Sequence, residues 1–119
     1  IQGWLFNHEG TRRGEEFVTR KITKNIAYID YCLKKNLKIF PLSVGNIYAH
    51  RDWSDAEDFM DGVWKMLNND KPKEYILSSG KTYTVKEFIE KAFRVIGIEG
   101  IWEEGEENKL YEKSFVKRI

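Results

Sequence analysis

Trp4-Leu5-Phe6-Asn7-His8-Glu9-Gly10-Thr11-Arg12-Arg13-Gly14, followed by Phe17-Val18-Thr19-Arg20-Lys21-Ile22, is the stretch that decides how this chain is read. An apolar strand runs into a polar turn holding one His, two Arg and two Gly, and the turn runs into an amphipathic pattern. Phe17, Ile22, Ile26, Ile29 and Leu33 follow helical spacing, which predicts a helix over residues 15–35. A helix start carries unpaired backbone N–H groups, and here guanidinium forks stand beside it. That combination suits phosphate.

Outward from this junction, strands and helices alternate. Residues 38–42 read as a strand, with Pro41 marking an edge or an early end. Gly45-Asn46 marks a turn before the segment from Tyr48 to Trp53. Ser54 is placed to N-cap a helix with Asp55 and Glu57 in its first turn and Phe59, Met60, Val63, Trp64 and Leu67 on its buried face. Tyr75-Ile76-Leu77 reads as a short strand. Thr84-Val85-Lys86-Glu87 spells a capping box, and Val85, Phe88, Ile89, Ala92, Phe93 and Ile96 give the stripe of a third helix. Residues 98–102 suit a last strand, and the Glu- and Lys-rich run 103–113, which lacks periodicity, a mobile surface loop. The class is α/β. No G-x-G-x-x-G follows a strand, so no dinucleotide-binding half is visible.

Composition narrows the function classes. The chain has 119 residues, 41% apolar and 33% charged, enough for one small domain or a piece of a larger one. Lys+Arg at 20 against Asp+Glu at 19 gives no global field to attract nucleic acid or an anionic membrane. No apolar run is long enough to span a bilayer, and no signal peptide is visible. The single Cys32 cannot make an internal disulfide and reads as a buried structural thiol, which suits the cytoplasm. The first residue is Ile and apolar residues return at Phe115-Val116, so both ends read as cut and the chain as a fragment.

The chemistry-bearing candidates are few. His8 and His50 show no metal-ligand spacing, and no Ser or Cys sits in a nucleophile elbow. Tyr31-Cys32-Leu33-Lys34-Lys35 spells Y-x-x-x-K, a pattern expected by chance in a chain rich in Tyr and Lys, and it is rejected as a catalytic pair. Arg51-Asp52-Trp53 is a weak signal alone: Trp53 reads as core, Asp52 as a residue that positions Arg51 or caps a turn, and Arg51 as either a salt-bridge partner or a phosphate ligand.

Together, Asn7-His8-Glu9, Arg12-Arg13-Gly14, Phe17-Val18-Thr19-Arg20-Lys21-Ile22 and Gly45-Asn46 with Arg51-Asp52-Trp53 resemble the GDP-mannose 4,6-dehydratases. These are extended short-chain dehydrogenases/reductases, in which a Rossmann domain binds NADP and a smaller C-terminal domain binds the sugar nucleotide. The family loop commonly reads N-H-E-S-P-R-R-G; Gly10-Thr11 stands here for Ser-Pro, which frees a backbone position that proline would fix. Ser54-Asp55 replaces the family's usual Gly-His, and the connection around residues 32–38 is longer. The Y-x-x-x-K of residues 31–35 follows the N-H-E loop, whereas the family's catalytic pair precedes it.

The resemblance implies a C-terminal fragment of such an enzyme. Residues 1–14 would be the last Rossmann strand with its cofactor and substrate loop, and residues 15–119 a partial α/β substrate-binding domain. His8 and Arg13 match positions that touch NADP; Asn7, Val18 (through its backbone), Lys21 and Arg51 match positions that hold the GDP part of GDP-mannose. The family's catalytic Thr, Glu, Tyr and Lys lie upstream of Ile1, so no catalytic residue is expected in this chain. The implied activity is conversion of GDP-mannose to GDP-4-keto-6-deoxymannose by a homodimer or homotetramer. A related enzyme of UDP- or dTDP-sugars, or a stand-alone nucleotide-binding module, are the alternatives.

Overall fold

The computed structural model describes residues 1–99, 102 and 115–118. The elements are β1 (Gln2–Leu5), β2 (Asn7–Glu9), α1 (Val18–Lys35), β3 (Leu42–Val44), β4 (His50–Arg51), β5 (Trp53–Asp55), α2 (Ala56–Leu67), β6 (Glu74–Leu77), β7 (Tyr83–Thr84), α3 (Val85–Val95) and β8 (Val116–Arg118). The chain divides into two units, Ile1–Arg13 with His50–Tyr83, and Gly14–Ala49 with Thr84–Ile119. The sequence alone suggests a boundary after residue 14; the stretch 50–83 joins residues 1–13 because its strands pair with β1 and β2.

In the first unit, one extended stretch changes partner part-way. β1 pairs with β6 in parallel, Gly3 opposite Tyr75 and Leu5 opposite Leu77, and Phe6 N–H donates to Leu77 O at 3.0 Å. β2 then pairs with β5 in parallel, Asn7 opposite Trp53 and Glu9 opposite Asp55. Side chains alternate across a strand, so Gly3 and Leu77 share the face that α2 covers. Small residues allow that approach: a methyl built on Gly3 would lie 2.9 Å from the Met66 side chain, and one on Gly62 of α2 would lie 3.3 Å from Leu77.

The opposite face of β1 and β6 is bare among the described residues. Trp4 is 60% exposed and its register partner Ile76 69%. The buried strand expected at residues 1–6 is therefore an exposed one, because a single helix covers only one side of the pair. A similar correction applies to α2. Phe59 and Met66 are buried and Val63 half-buried, but Met60, Trp64 and Leu67 face outward. The apolar band of α2 is wider than the contact it makes with the strands.

The second unit holds the better-packed core. Ile22, Ile26, Ile29 and Cys32 from α1, Leu42 and Val44 from β3, Val85, Ile89 and Phe93 from α3, with Ile47, Phe115 and Val116, are buried. α1 starts at Val18 rather than at residue 15, with Phe17 as N-cap. It ends on Asn36, whose φ of 53° is left-handed and whose N–H closes on Leu33 O. β3 begins at Leu42 rather than Lys38, because Pro41 cannot donate to a ladder; Leu42 N–H opens the parallel pairing with β8 by donating to Phe115 O at 2.7 Å. The capping box of α3 is present: Glu87 N–H donates to Thr84 Oγ1 at 3.1 Å and Thr84 N–H to Glu87 Oε2 at 2.7 Å. Gly97, at φ 76°, allows the helix-ending turn in which Ile98 N–H reaches Phe93 O. Ile98 and Glu99 adopt no strand; residues 100 and 101, and the loop expected at 103–113, lie outside the described residues.

Replacing Phe93, which is fully buried and stacks on Phe115, with Ala is expected to lower stability by about 3–5 kcal/mol. Val95→Ala, one turn-edge away and 86% exposed, is expected to change it by less than about 0.5 kcal/mol. Urea unfolding of the full-length variants checks the contrast, and equal losses would contradict this core assignment.

Candidate functional site

The residues singled out in the sequence fall in both units. Asn7, His8, Arg13 and Arg51 belong to the first, Val18 and Lys21 to the second.

In the first unit, β2 brings Asn7 and His8 alongside Trp53 and Ser54 of β5. His8 Nδ1 lies 3.0 Å from the carbonyl of Phe6. A carbonyl only accepts, so Nδ1 carries the proton of that bond and Nε2 is the other ring nitrogen, an acceptor when the ring is neutral. The ring also packs against Phe59 of α2 at a centroid distance of 5.1 Å. Its plane is thus fixed from two sides. The turn beyond β2 is closed by Arg13 N–H on Gly10 O at 3.0 Å, and Arg13 Nε sits 3.2 Å from Glu9 Oε2 with both side chains about four-fifths covered. The sequence sets Glu15 and Glu16 beside the arginines; the partner of Arg13 is Glu9 instead. Glu15 pairs with Lys24 at 2.6 Å, and that Lys24 hydrogen bond holds the Glu15 carboxyl below its usual range.

Arg51 ends β4 and is exposed, its Nη1 donating to the carbonyl of its neighbour His50 at 2.7 Å. Asp52 follows it and is only 5% exposed. Its Oδ1 accepts from Ser79 Oγ at 2.8 Å, Ser79 N–H at 3.2 Å and Ser54 Oγ at 3.3 Å, while its Oδ2 accepts from Gly80 N–H at 3.0 Å. Burial pushes the Asp52 carboxyl up, but these donors outweigh it and hold the group below the ordinary carboxylate value. Trp53, expected in the core, is half-buried. The cap of α2 is Asp55, not Ser54: Asp55 accepts from Glu57 N–H at 2.7 Å, whereas Ser54 stays in the ladder opposite His8.

In the second unit, Val18 opens α1. Phe17 gives no side-chain cap and the first turn holds no acidic residue. The positive end of an 18-residue helix therefore keeps its attraction for an anion. Lys21 is half-buried, its backbone N–H donating to Phe17 O at 2.9 Å and its carbonyl accepting from the Asn25 amide at 2.7 Å. Tyr31, the Tyr of the rejected Y-x-x-x-K, is 55% exposed on α1. A cavity of about 320 Å³ lies at the end of the same helix, lined by Cys32, Leu33, Asn36, Leu37 and Ile39, and none of the site residues borders it. No group of three metal-ligating side chains occurs among the described residues, and no helix there is long and apolar enough to cross a membrane.

In the first unit a locked imidazole, a mostly covered guanidinium paired with Glu9 and an exposed guanidinium on an anchored strand end, and in the second unit a helix start without a side-chain cap, are each chemistry that suits a phosphate better than a metal or a nucleophile. Comparison with known proteins gives the family. The family model described as GDP-mannose 4,6 dehydratase matches residues 1–118. The chain belongs to the GDP-mannose 4,6-dehydratase family. It is 43% identical over 110 residues to the GDP-mannose 4,6 dehydratases of Cricetulus griseus and of Homo sapiens, covering 92% of this chain and 28% of each relative. To the enzyme of Vibrio cholerae it is 46% identical over 97 residues, 82% of this chain and 25% of that one. The chain thus spans about a quarter of the length of these curated relatives. The solved structure of RMD from Pseudomonas aeruginosa complexed with NADPH superposes with a TM-score of 0.70 at 26% identity, over 82% of this chain and 32% of that one. The fold is therefore that of the short-chain dehydrogenase/reductase family, as the sequence resemblance implies.

Sequence reasoning overlooked Ser79 and Gly80, the donors to Asp52. Their only local signal is the turn run Ser78-Ser79-Gly80 after the strand, where Gly80 takes a φ of 74°. Because the Asp52 carboxyl is lowered in the folded state, its contribution to stability is complete above the ordinary carboxylate pKa of about 4 and is lost as the pH falls through the lowered value. Asp52→Asn should flatten this part of the acid limb of a stability–pH curve. An acid limb identical to that of the unaltered protein would contradict the role given to Asp52.

Proposed function

We propose that this chain is the substrate-side portion of an NADP-dependent GDP-mannose 4,6-dehydratase, a lyase that forms GDP-4-keto-6-deoxymannose from GDP-mannose. The observation that carries the reading is Arg51. Its side chain is exposed at the end of β4, while the next residue is buried and fastened by four hydrogen bonds. A guanidinium held this way offers two parallel N–H donors to a diphosphate without first ordering its backbone.

In this reading Asn7 and Arg51 bind the GDP portion, and in the second unit Val18 and Lys21 do so through the first-turn backbone N–H and the ammonium. Neutral amide donors suit the nucleoside, and a cationic side chain suits a charged phosphate oxygen. His8 and Arg13 contact NADP, which supplies the hydride acceptor when bound. The imidazole, fixed by Phe6 O and Phe59, presents Nε2 to a polar group of the cofactor, and Arg13 presents its guanidinium to a phosphate. Family membership over residues 1–118 supports the reading as a whole. Proton and hydride chemistry at the sugar belongs to residues outside this chain. The protein works in the cytoplasm, where a lone buried thiol such as Cys32 stays reduced, as a homodimer or homotetramer.

Arg51→Ala is expected to weaken GDP binding by the full-length protein by at least about tenfold, the loss that follows from deleting charged hydrogen bonds. Titration calorimetry with GDP, and competition between GDP and UDP, test this. Unchanged affinity would overturn the role of Arg51, and equal competition by UDP would overturn the guanine nucleotide as ligand.

A further inference from the structure

Asp52 makes hydrogen bonds that its place beside Arg51 does not by itself explain. Its carboxylate gathers the hydroxyl and N–H of Ser79, the N–H of Gly80 and the hydroxyl of Ser54, at 2.8, 3.2, 3.0 and 3.3 Å. Ser79 is itself held within the turn, its Oγ accepting from Lys81 N–H at 3.1 Å. Residues 79–81 start the connection from β6 to β7, and β7 is the strand that pairs with β4. One short arch therefore meets the chain on both sides of the Arg51 carbonyl: at its start through Asp52, at its end through the ladder with His50 and Arg51. Successive side chains of an extended segment point to opposite sides. Anchoring Asp52 inward consequently turns Arg51 outward.

We infer that Asp52, clasped by Ser79 and Gly80, is the positioning residue that fixes Arg51 for diphosphate recognition, so that the 79–80 turn is part of the specificity apparatus for the nucleotide diphosphate. This rests on the reading of Arg51 as a diphosphate ligand. Gly80 is integral to it. Its N–H donates to Asp52 Oδ2 while its φ of 74° turns the chain onward, and a residue with a side chain would adopt that angle only under strain. A carboxylate is needed because all of the groups facing it donate. An amide at position 52 would turn an NH2 toward one of them and leave a donor facing a donor.

The experiment is a double-mutant cycle in the full-length protein, with Asp52→Asn, Arg51→Ala and the pair, read as the Kd for GDP and as KM and kcat for GDP-mannose, with thermal unfolding measured alongside. If Asp52 acts through Arg51, Asp52→Asn weakens GDP binding by about fivefold or more, a size usual for coupled neighbours, and adds nothing once Arg51 is Ala. KM then rises with kcat little changed, as expected when uniform binding is lost. A loss that is fully additive with Arg51→Ala, or no loss at all, overturns the inference and leaves Asp52 a loop staple. Where Asp52→Asn does not fold, Ser79→Ala enters the same cycle, since it removes the 2.8 Å hydroxyl and keeps both backbone donors. If Arg51→Ala alone leaves GDP affinity intact, the reading of Arg51 fails and the inference falls with it; a tenfold loss for Arg51→Ala without coupling sinks the inference alone.

Discussion

The first unit depends on a change of partner at Phe6. Up to Leu5 the chain is hydrogen-bonded to β6, and from Asn7 to β5, both in parallel. Such a switch is possible only if β5 and β6 reach the same strand from their own places in the chain, and α2 is the element that makes this geometrically possible. It leaves β5 directly through the Asp55 cap, crosses the sheet over Gly3 and Leu77, and returns the chain to β6. The two glycines at the crossing, Gly3 and Gly62, leave too little room for anything larger without a shift. What this achieves for function is local: Asn7 and His8 are set in register with Trp53 and Ser54, next to the anchored pair Arg51-Asp52.

The polar counterpart of that crossing is the carboxylate of Asp52. A buried carboxylate is costly when it lacks partners and tolerable when each lone pair meets a donor. Here both oxygens are occupied by groups from a turn 27 and 28 residues further on. The bond set therefore does the work of a long-range staple while leaving the adjacent guanidinium exposed. His8 follows the same logic from the other strand, one nitrogen given to Phe6 O and one face to Phe59, so that a side chain with several rotamers is reduced to one.

Much of this was legible in the sequence wherever a local rule acts alone. The capping box of α3 needs only Thr84 and Glu87, and the α1 stripe only the helical period; Pro41, read as an edge or an early end of a strand over 38–42, instead precedes a strand that starts at Leu42. The misreadings share one cause, a choice between competing neighbours. Ser54 and Asp55 are both good caps; α2 starts at Ala56, so the cap falls to Asp55, while the Ser54 hydroxyl donates to Asp52. Met60, Trp64 and Leu67 fit the same helical period as Phe59, and the width of the sheet, which the sequence does not encode locally, decided which of them it would cover. For the site the same limit holds more strongly. Arg51 and Lys21 could be singled out by resemblance, but the donors to Asp52 lie far along the chain and carry no motif.

The two units differ in how far they account for themselves, and this bears on the site. The second unit buries a continuous set of aliphatic and aromatic side chains among α1, α3 and β3. The first unit buries Phe59 and Met66, while Trp4 and Ile76 on one side and Trp64 and Leu67 on another stay open. Parallel strands are stable when both of their faces are covered, and among the described residues the pairing of β1 with β6 is covered on one face only. Groups whose precision depends on such support respond to its loss before a self-sufficient core does. The candidate residues Asn7, His8 and Arg51 stand among the groups of this less covered unit. Within them, the hydrogen-bonded Asp52 is the part that does not wait on apolar cover, because its partners are all supplied by its own unit.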